Sequence, residues 1–241
     1  MQAADASSPE AQAALNELCR TYWFPLYAFI RVKERDRHRA KDLTQAFFLH
    51  LLDHQIIRRV DRKNGRFRCF LLACLQNFLA SEWRKAQAEK RGGGAAVFSL
   101  DEEEAEQRFG QLPAQEADPA AKFDRAWAVT VVEQVTATLK RDYSERGRLP
   151  LYETLSPCLS GELPADFYSV APARLGMTPD ALRVNLCRFR EAFGRGVREE
   201  VSRIVISPEE VDAEIRHLMR AWAGHLLEAP VRAASQPPAS N

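Results

Sequence analysis

The chain predicts an all-α fold: two helical domains joined by an acidic flexible linker, with an extra C-terminal helix. Three observations carry this expectation. Apolar residues recur at spacings of three and four over long stretches, and strict alternation is rare, which is the pattern of amphipathic helices and not of strands. Charge is partitioned along the chain: from Arg58 to Arg91 ten cations face three anions, and from Asp101 to Asp118 seven carboxylates face Arg108 alone. Helix starts are written out at Thr178-Pro179-Asp180 and at Ser207-Pro208-Glu209-Glu210.

These signals divide the chain into a first domain over 10–95 and an acidic linker over 96–120, which is preceded by Gly92-Gly93-Gly94 and interrupted by Pro113 and Pro119. A second domain follows over 121–206, then a helix over 207–228 and a polar, proline-rich tail over 229–241 expected to be disordered. Length and composition set the outer limits. With 241 residues, 46% hydrophobic and 28% charged, the chain can bury a core without disulfides. Thirty-four Lys and Arg against 33 Asp and Glu argue neither for nor against a polyanionic partner, so local charge has to decide. Five cysteines with no CxxC pair encode neither a disulfide framework nor a zinc ribbon, and a reducing cytoplasm is the expected home. The longest apolar run, Phe70 to Leu75, is too short to span a bilayer, and no membrane association is expected.

The helix predicted from Lys41 places Leu43, Phe47, Phe48, Leu51 and Leu52 on its core face, with Asp42, Gln45, Leu49 and Asp53 opposite. Leu49 among polar groups reads either as an ordinary exposed apolar residue or as part of a docking surface. The helix predicted over 67–85 gives Phe70, Leu71, Cys74, Leu75, Phe78 and Leu79 to a core. Ala73, Gln76, Asn77, Ala80, Trp83 and Arg84 share its remaining arc. An aromatic ring in an electropositive setting suits unpaired bases; packing of Trp83 against a neighbouring helix is the competing reading.

Tyr168 to Phe193 carries the sharper motif. A short helix ends at Gly176, where a turn of positive φ is expected, and Thr178 then caps a helix with Pro179 at its first position. Leu182, Leu186, Phe189 and Phe193 form a narrow apolar stripe, and Arg183, Val184, Cys187, Arg188 and Arg190 face outward. That is the layout of a helix-turn-helix, whose second helix enters the major groove. In the last helix, Val211, Ile215, Leu218, Met219, Trp222 and Leu226 line a stripe expected to pack on the second domain. His50 and His54 lack a third ligand, the glycine triplet lacks the Lys-Ser/Thr of a phosphate loop, and no nucleophile-base grouping assembles. No catalytic residue, metal site or cofactor is therefore expected.

Lys41 to Leu52 (KDLTQAFFLHLL), followed by Gly65 to Ala80 (GRFRCFLLACLQNFLA) and the basic stretch to Arg91, resembles region two of bacterial RNA polymerase sigma factors, nearest to the two-domain extracytoplasmic-function (ECF) group. Tyr168 to Phe193 is similar to its region-four helix-turn-helix, so the likeness runs from about Leu15 to Val205. The resemblance implies core RNA polymerase and promoter DNA as partners and leaves room for an anti-sigma partner. It implies polymerase docking through Asp42, Gln45 and Leu49, contact with the unpaired strand through Asn77, Ser81, Trp83 and Arg84, and upstream DNA reading through Arg183, Asn185 and Arg188. Region four is divergent. Pro172 sits inside the first helix of the motif, and Leu149 to Phe167 holds Pro150, Pro157, Gly161 and Pro164 in place of a leucine-rich run. The expected function is that of an ECF-like sigma factor; the alternatives are a stand-alone helix-turn-helix regulator and a helical adaptor that binds proteins only.

Overall fold

A computed structural model describes residues 9–53, 67–88, 102–113, 118–159, 163, 165–205 and 208–228. Among them every regular element is helical, so the described part of the chain is all-α. The elements are α1 (Pro9–Lys33), α2 (Arg37–Asp53), α3 (Phe67–Ala88), α4 (Glu102–Gln111), α5 (Pro119–Glu145), α6 (Leu149–Leu155), α7 (Phe167–Leu175), α8 (Pro179–Ile204) and α9 (Val211–Glu228). Short 3-10 turns cover Ser156–Leu159 and Pro208–Glu210. No described helix is long and apolar enough to cross a membrane. The glycine triplet, the C-terminal tail, His54 and the cations Arg58, Arg59, Arg62, Lys63, Arg66, Lys90 and Arg91 lie outside the described residues.

Contacts divide the chain into two compact units: Met1–Ala128 together with His217–Asn241, and Val129–Arg216. In the first unit α1 packs on α2, α2 on α3, and α4 on both α1 and α2. Aromatic rings fill its interior. Tyr22 meets Phe67 edge-on at 5.7 Å and stacks on Phe123 at 6.1 Å, and Phe47 lies 5.4 Å from Phe78. Leu43, Phe47, Phe48 and Leu51 of α2 are all buried, as their spacing predicts. Asp36 starts α2 four residues before the expected position. Its carboxylate accepts the amides of His38 at 2.8 Å and Arg39 at 3.2 Å. The amides of Arg39 and His38 hold that carboxyl below the usual range.

The acidic stretch is not a flexible linker over its described part. Residues 102–111 form α4, with Ala105 and the following Leu112 buried. Glu106 accepts from the Tyr27 hydroxyl and from Arg31 Nε at 2.7 Å, and Arg108 lies 4.1 Å over the Phe24 ring. Charge counting hid the helix, because the small and apolar residues that dock it are few and spaced among carboxylates.

The boundary between the units falls within α5, beyond the expected 120/121 boundary. Phe123 and Trp127 are buried with the first unit. Asp124 accepts Arg68 Nη1 at 2.6 Å and meets His217 Nε2 of α9 at 2.8 Å. From His217 onward α9 groups with the first unit, so Leu218, Met219 and Trp222 of its stripe depart from the expected second-domain packing, whereas Val211 and Ile215 group with the second unit. Met219 of that stripe is exposed. Pro208–Glu210 forms a 3-10 turn and the α-helix proper begins at Val211; the cap residue Ser207 lies outside the described residues.

In the second unit, Val131 and Val135 of α5 and Leu151 and Leu155 of α6 are buried, together with the α8 stripe of Leu182, Leu186, Phe189 and Phe193. The stripe continues through Val197 and Val201. Phe189 is met edge-on by Tyr143 at 5.7 Å and by Tyr152 at 5.9 Å, and the Tyr152 hydroxyl donates to the Thr136 carbonyl at 3.1 Å.

Candidate nucleic-acid interface

The three residues expected to form one outward face of α2 are separated by the packing. Asp42 is exposed and Leu49 half-buried, whereas Gln45 is only 6% exposed. At 100° per residue the buried arc runs from Leu43 through Phe47, Leu51, Thr44 and Phe48 to Gln45, about 200° of the helix. α2 has neighbours in α1, α3 and α4, so its buried face is wider than an amphipathic wheel suggests. Thr44 is accommodated inside by donating its hydroxyl to the Ala40 carbonyl at 2.7 Å. Asp42 and Leu49 stay together at the rim of this arc.

On α3, Ala73, Gln76, Asn77, Ala80 and Arg84 are exposed and Ser81 is half-buried, one face of alanines and polar side chains. Trp83 lies at the edge of that face, half-buried beside the end of α1. Its indole N–H donates to Glu34 Oε1 at 2.5 Å, and the Lys33 ammonium stands 5.7 Å from its ring centroid. One edge of Trp83 is thus engaged by a neighbouring helix, while the ring still borders the open face. Arg84 returns its Nε to the Ala80 carbonyl at 3.2 Å. Arg68 leaves the expected basic cluster altogether, being buried against Asp124. A separate basic corner lies earlier in the chain. Residues 31–41 (RVKERDRHRAK) hold six Lys and Arg against Glu34 and Asp36, and Lys33, Arg35, Arg37 and Arg39 are exposed.

The second unit builds the turn and the cap that the sequence announces. Gly176 has φ +62° and closes α7; its amide points to the Ala173 carbonyl at 3.4 Å and that of Met177 donates to the Pro172 carbonyl at 3.0 Å. Pro172 lies inside α7 and is buried, and the helix is nine residues long. Thr178 then caps α8, its hydroxyl accepting the Ala181 amide at 3.2 Å. Along the outer face Arg183, Val184, Cys187, Arg188 and Arg190 are exposed.

Their side chains differ in freedom. Arg183 Nη1 donates to Asp180 Oδ1 at 2.7 Å and its guanidinium lies 5.0 Å over the Tyr168 ring, so it is oriented before any ligand arrives. Arg190 reaches the Cys158 carbonyl at 3.3 Å. Arg188 has no partner among the described residues. Asn185 is half-buried and engaged at both ends: Oδ1 accepts Arg148 Nη2 at 2.8 Å and Nδ2 donates to the Ala181 carbonyl at 2.8 Å. Its amide is occupied in this structure, and a bidentate contact to adenine would require breaking both bonds.

Sequence reasoning missed Lys33, Glu34 and Arg39 around Trp83. The run of cations was visible, but the Glu34 to Trp83 bond joins residues 49 apart, and no local pattern encodes it. No protein-family model, curated protein or solved structure matches the chain.

Proposed function

We propose that this protein is a sigma-like initiation factor that binds core RNA polymerase and directs it to promoter DNA. The observation that best supports this is the α7–Gly176–α8 motif, with a glycine turn of positive φ, a threonine cap and an exposed arginine face on the following helix. In this reading Arg183, pre-oriented by Asp180 and Tyr168, contacts a base edge, and Arg188, exposed and without a partner among the described residues, meets a phosphate. Asn77, Ser81, Trp83 and Arg84 border the unpaired strand once the duplex opens. Asp42 and Leu49 supply polymerase docking at the rim of α2, and Gln45 supports them from inside. The protein contributes binding and positioning and no catalytic group of its own.

In vitro transcription with purified core polymerase on genomic DNA from the source tests the proposal. Start sites that share an upstream sequence, appear only with the protein and weaken with Arg183→Ala are expected. Initiation identical with and without the protein would refute it. One observation favours a second reading: with Gln45 buried, the docking face is narrower than the resemblance implies, as it would be for a helix-turn-helix regulator that never binds polymerase. Co-elution of the protein with core enzyme separates the two.

A further inference from the structure

The surroundings of Trp83 carry a more specific inference, which rests on the reading of the α3 face as a single-strand contact. Glu34 is fixed at the end of α1. Its amide donates to the Ile30 carbonyl at 2.7 Å, its own carbonyl accepts Arg31 Nη1 at 3.3 Å, and Oε2 lies 3.5 Å from Arg39 Nε. The remaining oxygen, Oε1, takes the indole N–H of Trp83 at 2.5 Å. A half-buried indole N–H requires an acceptor, and a carboxylate held by its own neighbours fixes the ring's orientation as well as satisfying it. Lys33, one residue earlier, places its ammonium 5.7 Å from the Trp83 ring centroid and 5.5 Å from that of Phe29. Lys33 is exposed on a flexible stem. A cation over a solvated ring is a weaker contact than a stacked base, so an arriving base can displace it.

We propose that Glu34 is a positioning residue that holds the Trp83 ring ready for an unpaired base of single-stranded DNA, and that Lys33 is a stand-in on that ring, moving to the adjacent phosphate when the base stacks. Both residues lie at the corner between α1 and α2, ahead of the Lys41–Leu52 motif.

The test titrates the full-length protein with a short, fluorescently labelled single-stranded DNA at several salt concentrations. Trp83→Ala should weaken binding about 5- to 150-fold. Glu34→Ala should lose most of that factor in the wild-type background and less than about twofold in the Trp83→Ala background, whereas Glu34→Gln, whose amide oxygen still accepts the N–H, should retain most of the affinity. Trp83→Phe keeps a ring but has no N–H. It should weaken binding and become insensitive to Glu34→Ala, which keeps the test decisive even if Glu34→Ala alone lowers the urea midpoint. Lys33→Met should flatten the slope of log affinity against log salt by about 0.7, the share of one phosphate contact on a single strand. Equal loss from Glu34→Ala with and without Trp83, or an unchanged salt slope for Lys33→Met, would overturn the respective role. Trp83→Ala binding as tightly as wild type would remove the stacking reading itself, and the proposal with it.

Discussion

Replacing Gly196 by alanine is expected to loosen the seat of α8 in the second unit. An added Cβ would stand 2.7 Å from Val135 Cγ1 and 3.5 Å from Cγ2. Optimal carbon–carbon separation is about 3.5–4.0 Å, so the nearer contact is short by about 1 Å. Val135 is buried, and a valine on a helix is nearly confined to one rotamer, so the strain must be relieved by moving helices and not by rotating a methyl group. Overpacking of this kind costs about 1–3 kcal/mol. Removing a glycine from a helix interior returns about 0.8–1 kcal/mol, which leaves a net loss between almost nothing and about 2 kcal/mol. Gly194 supplies the control on the same helix. Nothing lies within 4 Å of its added Cβ, so Gly194→Ala should gain the full propensity term. The difference between the two variants cancels propensity and isolates packing, at about 1–3 kcal/mol. Urea denaturation followed by circular dichroism measures it, and Val135→Ala introduced with Gly196→Ala should recover part of the loss by vacating the contact. If the two glycine variants prove equally stable, the close approach is not the constraint described. Because α8 is one helix of 26 residues, a tilt at Gly196 would be carried along its length to Arg183 and Arg188.

Three further outcomes follow from other contacts. Burial pushes the Glu106 carboxyl up, but hydrogen bonds from Arg31 and Tyr27 and the Arg31 charge outweigh it and hold it below the usual range. A lowered folded-state value means that the stabilisation is complete above the ordinary glutamate value of about 4.3 and is lost as pH falls through the folded value. Hydrogen exchange in α4 should therefore accelerate on acidification below about pH 4 more than in α8, and Glu106→Gln should abolish most of that difference. Asp124→Ala removes the carboxylate that meets buried Arg68 at 2.6 Å and should destabilise the first unit by about 3 kcal/mol; a loss below about 1 kcal/mol in urea titration would mean that the pair is dispensable. On the DNA-reading role proposed for α7–Gly176–α8, Arg183→Ala should cost about 1–3 kcal/mol and relax discrimination at one base pair. Arg188→Ala should weaken all duplexes alike and reduce the salt slope by about 0.9, and a sequence-dependent loss at Arg188 would reverse the assignment.

What the sequence made legible was whatever is encoded within a few residues. The Gly176 turn, the Thr178 cap and the stripe from Leu182 to Phe193 depend on local backbone conformation and helical period, and each lies where the sequence indicates. Gln45 shows the limit of the same reasoning, because a helical wheel knows nothing of how many neighbours a helix has. The acidic character of 102–111 concealed a docked helix, since the residues that anchor it answer to Tyr27, Arg31 and Phe24, more than seventy positions away. For the candidate interface the residue types were readable but their freedom was not. Arg183 and Arg188 look alike on the wheel, yet one is clamped by Asp180 and Tyr168 and the other is open. Asn185 is occupied by Arg148, 37 residues away.

The bond between His217 and Asp124 has a consequence for the order in which this chain can fold. It joins residues 93 apart, and the whole second unit, Val129–Arg216, is strung between the two segments of the first. During synthesis the second unit is contiguous and can collapse as soon as it clears the ribosome. The first unit cannot be completed until α9 has been made, and until then the buried side of Trp127 and the carboxylate of Asp124 lack the histidine that later lies against them. Once the second unit has folded, it shortens the loop that α9 has to close. Truncation before His217 should therefore be felt first around Arg68 and Trp127, near the middle of the sequence, and least in the helices immediately preceding the cut.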